Sequence, residues 1–313
     1  MNNYKELLFL KELNGVGPAR INRFYVPKLS KNMDIVALIT IVKENESKVD
    51  DSNIDSALQK ADLLYDTYSK RDDMRIITIL DDEYPSKLKS LENNAPVILY
   101  ARGDISIAEK PSLSVIGTRT PGEWSSKVEQ QMVGKVIELS DRVIVSGLAQ
   151  GCDTIAHRTC LEKGGLTIAV LPCGFDHIFP EENEGLCNEI VAKGGLLISE
   201  YPPEVEATRY TFVNRDTLIA ALSDAVFVME CGADSGTMHT VKDAIRLNRK
   251  AAAFSTDTMD KGIYDGNGKI ISEMNGIPVS DTDSLKAFLD DIGTVAVEEQ
   301  PTQMSLFDFM GDR

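Results

Sequence analysis

The chain has 313 residues, of which 42% are hydrophobic and 26% are charged, and its formal net charge is −16. These values are ordinary for one large folded domain with a smaller one beside it. No apolar run approaches the ~20 residues of a membrane span, and Met1–Glu6 lacks the features of a signal peptide. We therefore expect a cytoplasmic protein without a membrane partner. Because the charge is negative, any nucleic acid must bind at a local patch.

Residues 1–72 are predicted to form a small helical domain. Apolar side chains recur at helical spacing in Tyr4–Leu13, Ile35–Val42 and Ile54–Tyr68. Between the first two segments, Gly15-Val-Gly17 ends one helix and begins another. This turn resembles a helix-hairpin-helix (SAM-like) unit, whose exposed amides can hold a DNA phosphate. The alternative, which we favour, is a helical hairpin that uses its glycines only for packing.

Residues 73–290 are predicted to form one α/β domain. Its predicted strands are Met74–Leu80, Val97–Arg102, Leu113–Gly117, Arg142–Ser146, Leu166–Leu171, Gly195–Ser199, Ala225–Glu230 and Lys250–Phe254. The predicted helices are Trp124–Leu139, Thr154–Lys163, Asn183–Ala192, Asn214–Leu222 and Thr237–Leu247. Short, nearly continuous apolar strands that alternate with helices indicate a Rossmann-like, doubly wound, mostly parallel sheet with both faces covered.

The loops after these strands combine glycine with Ser, Thr or Arg, and ligands of such sheets bind at the carboxyl ends of the strands. In Ser146–His157 two glycines follow a buried strand, and Asp153 or Thr154 can cap the helix that follows. A strand, a glycine turn and a helix N-terminus together favour binding of an anion. No loop has the glycine pattern of a P-loop or an ordinary NAD site, so no cofactor is expected.

The motifs, in their order along the chain, resemble those of the DNA-processing protein A (DprA/Smf) family. They include Val115-Ile-Gly-Thr-Arg119, Ser146–His157, Cys173-Gly-Phe-Asp176, Gly195-Leu-Leu-Ile-Ser-Glu200 and Ser235-Gly-Thr237. The resemblance implies an extended Rossmann fold and a homodimer without enzymatic activity. It also implies that the protein binds and protects single-stranded DNA and loads the RecA recombinase, as in natural transformation.

Residues at the strand ends and in the family's DNA-contact region are predicted to bind DNA or its phosphates. They are Gly117, Arg119, Ser146, Gly147, Gly151, Arg209, Phe212, Arg215, Ser235, Gly236 and Thr237. Arginine can pair a phosphate bidentately, and cations beside an aromatic ring suit a single strand. The alternatives are a tight turn for each glycine, a surface ion pair for each arginine and core packing for Phe212. No metal spacing or catalytic set is found; His157 is expected to serve the fold, and the five cysteines to be reduced and mostly buried.

The chain departs from the family pattern at one predicted contact. The family's Phe-Pro-x-Arg-Asn-Arg run is Phe212-Val-Asn-Arg-Asp-Thr217 here, so that Asp216 replaces Asn and Thr217 replaces Arg. A lost positive charge and a gained negative one predict weaker phosphate binding there and put a competence-specific role in doubt. Many members end in a winged-helix-like domain, for which this chain is expected to be too short.

Residues 291–313 are predicted to be a flexible tail. Within it, Gln303-Met-Ser-Leu-Phe307 is similar to the peptide that docks on the bacterial sliding clamp. Leu306 and Phe307 would enter an apolar pocket of the clamp, and Gln303 would fix the register. The alternative is that Leu306, Phe307 and Phe309 fold back onto the core of the protein itself.

Two other functions remain open from the sequence. Nucleotide phosphoribohydrolases of the cytokinin-activating (LOG) type share a Rossmann-like layout and a Gly-Gly-x-Gly-Thr-x-x-Glu loop. In this chain Thr240 stands where that glutamate would be, so the expected general acid/base is missing. A sensor that binds a nucleotide without turnover is the other alternative.

Overall fold

The computed structural model describes residues 3–29, 33–256 and 262–293. Its N-terminal helices are α1 (Tyr4–Glu12), α2 (Pro18–Arg20), α3 (Ile35–Asn45) and α4 (Asp51–Tyr68). The predicted break falls at Gly15, whose φ of +83° lies in the region that favours glycine. A π-helical turn over Ile21–Tyr25 continues α2. The predicted helical character of this part is confirmed.

Within the described residues nine strands form one sheet, in the order β1-β2-β6-β5-β4-β3-β7-β8-β9. The strands are β1 (Arg75–Thr78), β2 (Ile98–Gly103), β3 (Ser112–Ile116), β4 (Val143–Ser146), β5 (Thr167–Val170), β6 (Leu196–Ser199), β7 (Ala225–Val228), β8 (Lys250–Phe254) and β9 (Ile277–Val279). Only β2 runs against the others, since it pairs antiparallel with both β1 and β6. The predicted mostly parallel sheet is confirmed.

Helices cover both faces of this sheet. They are α5 (Glu123–Leu139), α6 (Cys152–Glu162), α7 (Glu184–Ala192), α8 (Arg209–Leu222), α9 (Thr237–Arg246), α10 (Asp265–Glu273) and α11 (Thr282–Asp291). Along β7, Phe227 packs into the cluster formed with α5, α6 and α11, whereas Val226 and Val228 pack into the cluster formed with α8 and α9. Burial on both faces explains why the strands read as nearly continuous apolar runs. None of the described helices is long and apolar enough to cross a membrane.

Three local expectations need correction. Helix α8 begins at Arg209 rather than Asn214, because Thr208 and Thr211 form a reciprocal capping box. Neither Asp153 nor Thr154 caps α6, whose N-cap is Gly151. The Asp153 carboxylate instead accepts hydrogen bonds from the amides of the preceding buried loop. The three elements that follow β8, which are β9, α10 and α11, were not predicted from the sequence.

The order of the strands creates a switch point next to β3. From β3 the chain winds outward through β4, β5 and β6, and then returns to place β7 on the other side of β3. Connections that leave β3 in opposite directions open a crevice at the carboxyl ends of the strands. The glycine-rich loops identified in the sequence lie at this crevice.

Candidate functional site

A pocket of about 330 Å³ opens at the switch point, between the loops after β3 and β7 and helix α8. The predicted site residues that line it are Gly117, Arg119, Arg215, Ser235, Gly236 and Thr237. The structure therefore brings together residues that lie up to 120 positions apart, such as Gly117 and Thr237. Asp153, Asp216 and Thr240 also line the pocket and were not among the predicted contacts.

Gly117 holds the loops after β3 and β7 close together. A Cβ atom at this position would lie 2.5 Å from the Cys152 sulfur and 2.9 Å from the Glu230 carbonyl oxygen, too close for any other residue. The Gly117 carbonyl accepts a hydrogen bond from the Thr237 hydroxyl at 3.1 Å. The Thr118 amide donates to the Glu230 carbonyl at 2.7 Å. One wall of the pocket is therefore fixed by direct contact between the two loops.

The N-terminus of α9 also lines the pocket. The Ser235 hydroxyl donates to the Thr237 hydroxyl at 3.1 Å and accepts from the Thr237 amide at 3.3 Å. Gly236 is the N-cap residue, and a Cβ atom there would meet nothing within 4 Å. Helix N-terminal amides, their dipole and nearby hydroxyls favour a bound anion. Both hydroxyl protons are already donated, to Thr237 and to the Gly117 carbonyl, so a phosphate oxygen would meet the helix dipole here and would compete for these hydroxyls.

Arg119, an exposed cation that lines the pocket, lies over the ring of Phe212, which does not itself line the pocket. The Arg119 guanidinium is exposed, and its carbon lies 4.9 Å from the centre of the Phe212 ring. Phe212 also meets Phe179 edge to face, with ring centres 5.5 Å apart. Phe179 is 44% exposed and was missed, because nothing in the local sequence relates it to Phe212. Arg209 is exposed on the first turn of α8 and does not line the pocket.

Arg215, on α8, is buried in the wall of the pocket. It is 4% exposed, and its Nη1 atom donates to the carbonyl oxygens of Gly147 and Val170. Its Nε atom lies 3.0 Å from the Asp216 carboxylate, and Nη1 lies 3.9 Å from that of Asp153. The guanidinium thus joins α8 to the ends of β4 and β5. A side chain at position 147 would collide with it, which explains the glycine there.

Ser146, Gly147 and Gly151 lie behind the pocket. The Ser146 hydroxyl is fully buried and donates to the Val115 carbonyl at 2.7 Å. The Gly147 amide donates to Asp153 at 3.1 Å. Gly151 has a φ of +76°, and a Cβ atom there would lie 2.5 Å from the Arg119 carbonyl oxygen. In this structure the three residues set the shape of the loop, and their contact with DNA stays a prediction.

Burial changes the ionisation of groups around the pocket. It raises the pKa of Asp153, against the opposing effects of Arg215 and of the amides that the carboxylate accepts from. Burial also raises the pKa of Asp216 to about 6, although Arg215 acts in the other direction. His157 is fully buried, its Nδ1 lies 2.7 Å from the Thr167 hydroxyl, and burial lowers its pKa to about 3. The expectation that His157 serves the fold is confirmed, as are five buried, unpaired cysteines.

A larger cavity of about 810 Å³ adjoins the pocket and shares Arg119 and Ala149 with it. Its rim carries several exposed carboxylates: Asp176, Glu181, Glu182, Glu184 and Glu206. Arg71, which follows α4, binds Asp176 through two hydrogen bonds of 2.8 Å. The remaining carboxylates give this cavity a negative rim, which disfavours a phosphate group.

A doubly wound sheet with a pocket at its switch point defines a Rossmann-like protein, in which ligands bind at the carboxyl ends of the strands. The chain belongs to the DNA recombination-mediator protein A family, whose sequence model matches residues 75–289. The resemblance predicted from the motifs is thereby confirmed.

Named relatives and solved structures agree with this assignment. The chain is 32% identical to the DNA processing protein DprA of Streptococcus pneumoniae over 249 residues, which is 79% of this chain and 82% of the relative. It is 34% identical to DprA of Bacillus subtilis over 185 residues, or 59% of this chain and 61% of the relative.

Two solved structures extend the likeness to the fold. The X-ray structure of S. pneumoniae DprA superposes with a TM-score of 0.75 and 26% identity, covering 92% of this chain and 98% of that one. Helicobacter pylori DprA, whose structure was described for its mode of single-stranded DNA binding, has a TM-score of 0.61 and 27% identity. The superposition covers 69% of this chain and 97% of the H. pylori chain.

Proposed function

We propose that this protein binds single-stranded DNA during DNA processing and recombination, and that it does so without enzymatic turnover. The observation that carries the proposal is a pocket at the switch point that combines Arg119 with the hydroxyls of Ser235 and Thr237. Membership of the family and the likeness to H. pylori DprA, a protein described as binding single-stranded DNA, support it.

In the proposed complex the pocket holds a backbone phosphate and the aromatic pair meets a base. Arg119 supplies donors for the phosphate oxygens, and the N-terminal end of the α9 dipole favours their negative charge. Phe212 and Phe179 offer ring surface beside that phosphate, as sequence-tolerant binding of single strands requires. Arg215, Ser146, Gly147 and Gly151 fix the shape of the loops. A single strand can place one phosphate and the neighbouring base in such a small site. In a duplex the bases stay stacked inside the double helix and cannot reach the aromatic rings.

An equilibrium binding experiment tests this proposal. A labelled oligo-dT strand, its duplex with oligo-dA and the mononucleotide dTMP are titrated as separate ligands. We expect the single strand to bind most tightly and dTMP to compete only weakly, since it lacks neighbouring phosphates. Equal affinity for the duplex and the single strand, or no binding of either at low salt, would refute the proposal.

The family further implies a cytoplasmic homodimer that protects the bound strand and loads RecA, and we propose the same for this chain. Analytical ultracentrifugation is expected to give the mass of two copies. The DNA-dependent ATPase activity of RecA, measured on a strand already covered by single-strand-binding protein, is expected to rise when this protein is added. An unchanged ATPase rate would exclude the proposed loading of RecA and would not affect the proposal that the protein binds single-stranded DNA.

A nucleotide enzyme or sensor remains the second candidate, because Asp216 places a carboxylate in the pocket although Thr240 replaces the expected glutamate. Incubation with nucleoside 5′-monophosphates and analysis for free base separates the two classes. We expect no base release under conditions in which single-stranded DNA binds. Release of base, abolished by Asp216→Asn, would establish the enzyme instead.

We also propose that the C-terminal tail binds the sliding clamp through Gln303, Leu306 and Phe307, which lie outside the described residues. Surface plasmon resonance on immobilised clamp tests this directly. The double variant Leu306→Ala/Phe307→Ala is expected to abolish binding, because it removes the apolar side chains that fill the pocket. Ser305→Ala is the matched control and should bind like the wild type; equal binding by all three would exclude the motif.

A further inference from the structure

Asp216 places a carboxylate in the pocket that we propose for phosphate. Its side chain is 18% exposed, and one carboxylate oxygen lies 3.0 Å from Nε of Arg215. It faces the same space as Arg119 and the start of α9. An acidic group there opposes the binding of an anion, so its ionisation must affect that binding.

The charged and titratable groups around Asp216 come from every element that packs against it. Arg215 on α8, Asp153 on α6 and His239 on α9 act on it electrostatically, Arg119 after β3 lines the same pocket, and Asp243 on α9 accepts a hydrogen bond from the neighbouring Thr217. Arg215 is the buried cation, and it already serves the carbonyl oxygens of Gly147 and Val170 and the carboxylate of Asp153. When both aspartates are ionised, one buried guanidinium therefore faces two carboxylates. A phosphate adds a further negative charge to a site with no remaining buried cation among these groups.

The ionisation of Asp216 changes within an accessible pH range. Burial raises its pKa to about 6; Arg215 and His239 lower it, and Asp153 raises it further. As the pH rises through this value the carboxyl loses its proton, and the pocket gains a negative charge. As the pH falls, the neutral carboxyl instead offers an O–H group to a phosphate oxygen.

We propose that Asp216 controls phosphate capture in this pocket through its protonation state, so that single-stranded DNA binds more tightly when its carboxyl is neutral. The inference rests on the proposed function, because it concerns the same site. It deepens that function by making the affinity for a strand depend on pH at one residue.

The test compares the affinity for labelled oligo-dT between pH 5 and pH 8 at constant ionic strength, for wild type and Asp216→Asn. Every variant will gain some affinity at low pH, because the chain as a whole loses negative charge. Wild type should gain roughly tenfold more than Asp216→Asn, which is the scale expected for removing one charge close to a phosphate. Asp216→Asn should also bind more tightly than wild type at pH 8. Parallel profiles for the two proteins would overturn the proposal.

Two controls locate the effect. Asp283→Asn removes an exposed carboxylate from α11 and should keep the wild-type profile. His239→Gln should keep the transition but move its midpoint to higher pH, because His239 lowers the pKa of Asp216; loss of the transition in His239→Gln would overturn the proposal. Circular dichroism confirms that each variant is folded at both ends of the pH range.

The remaining outcomes separate this inference from the proposed function. If neither wild type nor Asp216→Asn binds oligo-dT at any pH, the proposed function fails. If both bind with the same pH dependence, only the role of Asp216 fails. A third arm adds magnesium chloride at pH 8, with potassium chloride at equal ionic strength as the reference. If magnesium restores tight binding to wild type alone, a divalent cation and not a proton neutralises Asp216, and the proposal is wrong.

Discussion

The pocket at the switch point and the larger cavity beside it share Arg119 but have opposite chemistry. In the pocket, a buried arginine, helix amides and two hydroxyls surround the space, and its carboxylates are mostly buried. In the cavity, carboxylates such as Glu181 and Glu182 are exposed along the rim. The difference shows that a chain with a net charge of −16 can still form a pocket with an exposed arginine and a helix N-terminus, and we propose that this local arrangement, not the total charge, decides where a phosphate binds.

Replacing the buried Arg215 should have the largest effect, and this effect is on the stability of the fold. Arg215→Met leaves Asp153 and Asp216 without their cation and two buried carbonyls without a donor. We expect the free energy of unfolding to fall by roughly 3–5 kcal/mol, as for other broken buried ion pairs. Urea denaturation measures this. Arg158→Met, at an exposed position on α6, is the control and should change stability by less than about 0.5 kcal/mol. A similar small loss in both variants would show that Arg215 does not hold the pocket together.

The aromatic pair at the boundary of the two regions should matter next. Phe212→Ala removes the ring beneath Arg119 and is expected to weaken binding of single-stranded DNA by about 1–3 kcal/mol, the range for one stacked base. Tyr210→Ala removes a neighbouring aromatic on α8 that is 72% exposed. It should leave the affinity unchanged. Equal losses in isothermal titration calorimetry would mean that the ring in the boundary has no special role.

The contrast between buried and exposed carboxylates can be tested through the pH dependence of the free energy of unfolding. Glu129 on α5 is fully buried beside Cys152, and burial raises its pKa well above the usual range, with Asp153 and Glu230 acting in the same direction. The folded state therefore keeps a proton that the unfolded state releases, so stability falls as pH rises above the unfolded pKa. Glu129→Gln should reduce this dependence by up to about 1.4 kcal/mol per pH unit. Denaturation between pH 5 and pH 8 measures it. Glu162→Gln, at an exposed position, should keep the wild-type slope.

Replacing an exposed carboxylate on the rim of the cavity should change DNA binding least. Glu182→Gln removes an exposed negative charge near the boundary and should strengthen DNA binding by no more than about threefold at low salt. The gain should disappear at high salt, because exposed charges are screened there. Glu162→Gln again serves as the equal-charge control. A larger gain in Glu182→Gln that survives high salt would mean that the strand enters the cavity.

Local sequence patterns predicted the sheet and the place of the site better than the details of the site. The runs that form β3, β4 and β7 are apolar and short, so their positions and the loops after them followed directly. The burial of Arg215 did not, because it depends on carbonyls 68 and 45 residues away. Nor did the contact between Phe179 and Phe212, which also joins distant segments.

Three further differences have local reasons. The early start of α8 was missed because its capping box uses Thr211, where the usual pattern has Glu or Gln. Strand β9 has only three residues, and its middle residue is Pro278, which is a poor signal for a strand. Asp153 was assigned to a helix cap because the sequence gives no sign that the loop before it needs an acceptor.

The salt dependence of single-stranded DNA binding tests the central claim most directly. Affinity for oligo-dT is measured by fluorescence anisotropy across a salt series for wild type, Arg119→Ala and Arg158→Ala. We predict that Arg119→Ala binds oligo-dT about tenfold more weakly than the wild type. The slope of log K against the logarithm of the salt concentration should also be smaller by about 0.7, because one phosphate contact is lost. Arg158→Ala should match the wild type. If Arg119→Ala keeps both the affinity and the slope of the wild type, the phosphate is not held at this pocket.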